Sequence, residues 1–229
     1  MLVALASACG PGSQADVGQT ASQTPTQTRN QTASQTGGRP KIVILGDSLT
    51  AGLGLPVGQA YPSVLQQRLD EAGLTLDVVN AGVSGDTSAG GLSRLDWSLQ
   101  GDVRILIVAL GGNDALRALP IEELTTNLST IIERAQARHI AVILAGMEAP
   151  PNWGRDYIVA FHKVYPALAD RYHVALVPFL LQNVAGSETL NQRDGIHPTA
   201  AGARVVADNV WTVLKPIAER ALQNRRGGS

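Results

Sequence analysis

Residues 41–56 read KIVILGDSLTAGLGLP: four unbroken aliphatic residues, Ile42 to Leu45, run into Gly46, Asp47 and Ser48 and then into a stretch punctuated by Gly52, Gly54 and Pro56. A short, wholly apolar run bounded by turn formers predicts a strand over 41–46 that is buried on both faces, the habit of a parallel sheet. Such a strand ends on a serine when something outside its C-terminal end uses the hydroxyl.

Working outward, further apolar, β-branched runs predict strands at 74–79, 103–110, 140–147 and 173–177. Between them, 3.6-residue periodicity predicts helices at 59–72, closed by Gly73, at 87–100, closed by Gly101, at 121–138, opened by Pro120, at 156–171 and at 199–222. Strands alternating with helices predict an α/β fold, a doubly wound, flavodoxin-like α/β/α sandwich on a five-stranded parallel sheet. Ligands of such a sheet sit outside the C-terminal ends of its strands, where the winding reverses. The segments at those ends are GDSLTAG, NAGVSGDTS, LGGNDALRALP and MEAPPNWGRDY, and RDGIHPTAAG precedes the last helix. All are polar or glycine-rich, so one assembled site is expected on that rim.

A serine is a weak nucleophile until a base stands within hydrogen-bond reach and an acceptor orients that base. Of the four histidines, His139 closes a helix, His162 lies within one and His173 opens a strand, which leaves His197 in a rim loop. Asp194 stands three residues before it in DGIHP, where Gly195 permits the turn that folds the carboxylate back on the imidazole. Taken alone, this segment reads as a turn aspartate beside a helix cap; paired with a rim serine it reads as Ser48, His197 and Asp194 in relay. Acyl transfer also needs donors aimed at the developing oxyanion. The Ser48 amide, the Gly85 amide and the Asn113 side chain can supply them. Asp47 is expected to stabilise its own turn and Asp114 to fix the Asn113 loop, while Arg94, Arg117 and Arg155 read as solvated or as partners of an anionic head group.

These residues, Gly46-Asp47-Ser48-Leu49, Gly85, Gly111-Gly-Asn113-Asp114 and Asp194-Gly-Ile-His197-Pro, resemble in order and spacing the four motif blocks of the GDSL or SGNH hydrolase family. The resemblance covers about residues 41 to 215, and the fuller strings VVNAGVSGDTSAGGLSRL, LGGNDALR and DGIHPTAAG are most similar to the bacterial thioesterase I, lysophospholipase and arylesterase subgroup. It implies Ser48 as nucleophile, His197 as general base and then acid, Asp194 as its orienting carboxylate, and Ser48, Gly85 and Asn113 as the oxyanion hole.

Composition narrows the partners. With 18 Lys and Arg against 19 Asp and Glu the chain has no basic field to neutralise phosphates, so nucleic acid is not an expected partner. Metal-binding HExxH, CxxC and EF-hand strings are absent, and no metal or cofactor is expected. The glycines at 52, 54 and 58 do not match the dinucleotide fingerprint, and there is no G-x-S-x-G elbow. At the N-terminus, residues 1–9 are apolar, then small, and end on the single cysteine, Cys9. That segment resembles a bacterial lipoprotein signal with Cys9 as the lipidated residue, or else carries a lone thiol. Residues 10–40 repeat Gln-Thr at 19, 23, 27, 31 and 35 with almost nothing apolar to bury, which predicts a disordered linker. Its coil dimension of about 30 Å suits a leash between a membrane anchor and a hydrolase domain over 41–229. The expected location is therefore the cell envelope, lipid-anchored or periplasmic or extracellular.

The function expected is hydrolysis of a carboxylic ester or thioester, such as an aryl ester, an acyl-CoA or a lysophospholipid, through an acyl-enzyme, with activity rising as His197 loses its proton. Leu53, Leu55, Leu116, Leu119, Pro150, Pro151 and Trp153 stand on the presumed rim and favour an apolar acyl or aryl group. The alternatives are a carbohydrate O-acetylesterase of the same fold, which 4% aromatic content does not favour, and a tethered binding protein without chemistry.

Overall fold

The computed structural model describes residues 38–226; the segment ending at Cys9 and most of the Gln-Thr linker lie outside the described residues. Five strands form one wholly parallel sheet in the order β2-β1-β3-β4-β5: β1 Lys41–Gly46, β2 Asp77–Gly82, β3 Val103–Ala109, β4 Ala141–Ala145 and β5 Ala175–Val177. Ile42 to Leu45 of β1 and Ile105 to Val108 of β3 are fully buried, as expected for central strands covered on both faces. The helices are α1 Ser48–Ala51, α2 Tyr61–Glu71, α3 Ser88–Ser93, α4 Leu95–Ser98, α5 Gly112–Leu116, α6 Ile121–Ala137, α7 Arg155–Tyr172 and α8 Ala200–Arg226. α2 packs on α8, and α8 covers β3, β4 and β5. α3, α6 and α7 pack in succession, with α6 and α7 against β4. Among the described residues no helix is long and apolar enough to cross a membrane.

The winding reverses between β1 and β3, so the segments leaving those two strands diverge and open a crevice at their C-terminal ends. Gly46 closes β1 there because no larger residue fits: a Cβ on it would lie 2.0 Å from Thr50 Oγ1.

Three departures from the sequence-based expectation have a visible physical cause. β2 begins three residues later than 74–79 because the chain first caps α2: the Leu74 amide donates to Leu69 O at 2.8 Å, Leu76 buries its whole side chain, and the ladder starts only where Asp77 pairs with Lys41. The single helix expected over 87–100 is two, broken at Arg94. The Arg94 guanidinium turns inward to Asp86 Oδ2 at 2.6 Å and to Gly46 O at 2.9 Å, tying the second loop to the end of β1. β5 shortens to three residues because His173, left-handed at φ 52°, caps α7, and Val174 still bonds back to Ala169 O.

Candidate active site

Ser48 opens α1 directly after β1, which places its side chain on the rim rather than in the core. Asp47 is the N-cap: its Oδ1 accepts from the Leu49 amide at 3.0 Å, satisfying one of the unpaired N–H groups of the helix start. The carboxylate is 2% exposed, and burial, partly offset by that hydrogen bond and by the nearby His197, pushes its pKa up to about 6.

The loop before α8 brings the imidazole. Gly195, left-handed at φ 72°, folds Asp194 back so that its Oδ1 accepts from the Ile196 and His197 amides at 2.9 and 3.0 Å. Its Oδ2 lies 2.7 Å from His197 Nδ1, and His197 Nε2 lies 2.9 Å from Ser48 Oγ. Asp194 is well exposed, yet these hydrogen bonds, the two amides foremost, hold its pKa down at about 2. The turn keeps an ionised acceptor behind the imidazole.

Gln192 joins the two loops. Its Nε2 donates to Leu53 O at 2.7 Å and to Pro198 O at 3.0 Å, while its own amide donates to His197 O at 2.7 Å. The β1–α2 connection and the His197 turn are thus fastened to one side chain.

The two remaining loops are stapled to each other. Asn113 Nδ2 donates to Asp86 O at 3.0 Å and, more loosely, to Asp47 Oδ2 at 3.3 Å. The next residue, Asp114, is buried and accepts from the Ser88 hydroxyl at 2.6 Å and the Ser88 amide at 2.8 Å; Asn127 of α6 in turn donates to Ser88 Oγ at 3.0 Å. Arg117 Nη2 donates to Gly85 O at 3.0 Å. Gly85 is left-handed at φ 85°, and together these bonds set the Gly85 loop against Asn113.

A cavity of about 410 Å³ opens beside Ser48, Asn113 and His197. Leu116, Met147, Pro150, Pro151, Phe179 and Leu181 form much of its wall, and Glu148, Ala149, Ala185, Gly186 and Ile196 also line it. Of the rim residues singled out in the sequence, Leu116, Pro150 and Pro151 therefore stand on this wall. Leu53 and Leu55 line a separate, much smaller crevice that also borders Ser48. Leu119 and Trp153 are not part of either wall; Leu119 lends its carbonyl to the Tyr157 hydroxyl, and Trp153 lies in a short 3-10 turn, partly exposed. Of the three arginines, Arg94 is internal wiring and Arg117 braces Gly85.

Sequence reasoning missed Phe179, Leu181, Met147, Glu148 and Gln192. Phe179 and Leu181 follow β5 directly, so the rule that sends attention to strand ends applied to them too. Gln192 carried no signal, since its bond to Leu53 spans 139 residues of sequence. Among the described residues no cluster of metal-ligating side chains occurs.

A model of the GDSL-like lipase/acylhydrolase family matches residues 44–205. Esterase TesA of Pseudomonas aeruginosa is 45% identical over 177 residues, covering 77% of this chain and 88% of that protein. Thioesterase 1/protease 1/lysophospholipase L1 of Escherichia coli K12 is 37% identical over 177 residues, covering 77% of this chain and 84% of that one. The crystal structure of TesA superposes with a TM-score of 0.75 at 43% identity, covering 77% of this chain and 99% of the other.

Proposed function

The chain belongs to the GDSL-like lipase/acylhydrolase family, and from that premise we propose that it hydrolyses carboxylic esters and thioesters of apolar acyl groups with Ser48 as nucleophile. One observation carries this reading: an unbroken line of hydrogen bonds from Asp194 through His197 to Ser48, ending at an apolar cavity.

Asp194 accepts the Nδ1 proton of His197, which leaves Nε2 as the acceptor facing the Ser48 hydroxyl. Ser48 Oγ attacks the acyl carbonyl as its proton passes to Nε2. The imidazolium so formed stays paired with the Asp194 carboxylate. The oxyanion takes hydrogen bonds from the Ser48 and Gly85 amides and from Asn113. Of the two Asn113 donor bonds, the looser one to Asp47 is the one an oxyanion displaces, while the bond to Asp86 O keeps the amide aimed. His197 then returns the proton to the departing alcohol or thiol. In the second half, His197 takes a proton from water, which attacks the acyl-enzyme and frees the carboxylic acid and Ser48.

The cavity favours an acyl chain over a sugar, since away from the reacting centre its wall is apolar except for Glu148 and carries one aromatic ring, Phe179. The names of the relatives, an esterase and a thioesterase with lysophospholipase activity, support the same substrate range. The lipoprotein-like segment ending at Cys9 extends the proposal to location, a lipid anchor in the cell envelope; palmitate labelling lost in Cys9→Ala tests it.

A fluorophosphonate probe tests the chemistry. Labelling of Ser48 in the wild type and its loss in His197→Ala supports the relay, and an unlabelled wild type overturns it. Turnover of p-nitrophenyl esters from acetate to palmitate, with acyl-CoA and lysophospholipid alongside, then reports which acyl group and leaving group fit.

A further inference from the structure

Apart from Asp47, Ser48, Asn113 and His197 at its reactive end, the cavity is lined, among the described residues, by one polar residue, Glu148. Neither lysine nor arginine lines it among the described residues. Glu148 follows the buried Met147 off the end of β4, and one of its oxygens, Oε1, is pinned at 2.7 Å by Nδ1 of His162 from α7. That contact occupies Oε1 and leaves Oε2 open as an acceptor. The pair is partly solvated, with Glu148 the more sheltered of the two. An apolar chamber whose one side-chain charge away from the reacting centre, among the described residues, is a carboxylate reads the charge of whatever enters it.

We propose that Glu148 is a specificity-determining residue that selects the charge of the acyl group. Resting on the esterase reading above, it makes the cavity accept neutral acyl chains and those bearing an ammonium, and turn away those bearing a carboxylate. The attraction acts on an acyl cation seated near Oε2, and because the wall is partly open to water its size is that of a partly screened ion pair, about a fivefold preference, weakening as salt is added. Of the other charged groups near the site, the Arg117 guanidinium is committed to Gly85 O, Asp194 faces His197, and the buried Asp47 carboxylate accepts from Leu49 and Asn113.

The test holds the leaving group constant and changes only the charge of the acyl chain. The p-nitrophenyl esters of 5-(trimethylammonio)pentanoate and 6,6-dimethylheptanoate differ by one quaternary nitrogen for one quaternary carbon, and their kcat/KM ratio isolates charge from shape. At mildly alkaline pH and low ionic strength the wild type is expected to prefer the cationic ester about fivefold. The preference should vanish in Glu148→Gln, reverse in Glu148→Lys and shrink in high salt. The p-nitrophenyl monoester of a dicarboxylic acid should show the opposite order. A wild type that hydrolyses both isosteres equally, or a preference that survives in Glu148→Gln, overturns the inference while leaving the esterase reading intact. Failure to hydrolyse either ester or any other of the p-nitrophenyl series strikes the esterase reading, and this inference with it.

Discussion

The two halves of the site are built on opposite principles, and their aspartates show it. Asp47, in the turn that carries Ser48, lies inside the protein and is pushed up to about 6 by burial. Asp194, in the turn that carries His197, stands largely in solvent and is held at about 2 by hydrogen bonds from its own loop. Ser48 is positioned by the core, through a buried strand and a helix cap. His197 is positioned by a turn closed on Asp194 and Gln192. The difference teaches where each half is vulnerable: one to repacking, the other to loss of local hydrogen bonds.

Removing either member of the pair that bridges the halves has the largest expected effect. Ser48→Ala and His197→Ala should each lower kcat on p-nitrophenyl butyrate by about 10³–10⁶-fold. The double variant should be no worse than the more damaged single one, because the two act as a unit. Additive losses in the double variant would mean that His197 does not act through Ser48.

Asp194→Asn comes next. The asparagine oxygen can still accept from the Ile196 and His197 amides, but its NH₂ then faces His197 Nδ1 and forces the wrong tautomer toward Ser48. A loss in kcat of about 10²–10³-fold with KM little changed is expected. Since Asp194 is already ionised far below neutrality, the deficit should persist at neutral and mildly alkaline pH; wild-type activity of the variant there would place its role elsewhere.

The contrast also explains what the sequence could and could not reveal. Ile42 to Leu45 announced a strand covered on both sides because apolar residues without alternation have no solvent face. The DGIHP turn announced its Asp194–His197 hydrogen bond because the two partners sit within three residues of one another. Asp47 was legible as a turn former, but its reach to Asn113 crosses 66 residues and needed the fold. The broken helix at Arg94 was hidden for the same reason: periodicity records which face is apolar, not that a guanidinium will leave the helix line to hold Gly46 O. Leu119 and Trp153, named for the rim by their loop, show that a strand-end segment brings only some of its residues to the cavity.

On the buried side, Asp47 makes stability depend on pH. Its folded pKa is raised above the ordinary 3.8, so the folded state favours the protonated form. No cost arises at a pH below both values; the cost grows as pH rises between about 4 and 6 and is complete above that window, at about 3 kcal/mol. Asp47→Asn keeps an acceptor for the Leu49 amide and removes the ionisation. Urea unfolding at about pH 4 and about pH 7.5 should therefore show the wild type losing more stability than the variant over that interval, by about 3 kcal/mol. Parallel pH profiles would mean that Asp47 is not held away from water.

The smallest expected effect falls on the side chain that couples the halves. Gln192 donates from one nitrogen to a carbonyl in each, Leu53 of the Ser48 side and Pro198 of the His197 side, so it fixes the span across which Ser48 and His197 meet without touching the reacting atoms. Gln192→Ala leaves two carbonyls to water and the turn to its internal bonds, and should lower kcat about threefold to tenfold with KM nearly unchanged. Gln192→Glu is the sharper variant. It puts an acceptor, charged at neutral pH, against two carbonyl oxygens, so it should push the halves apart and lower kcat further than alanine does, whereas a residue that merely fills space would tolerate glutamate better than alanine. If glutamate proves the milder change, the two halves are held in register by something other than this amide.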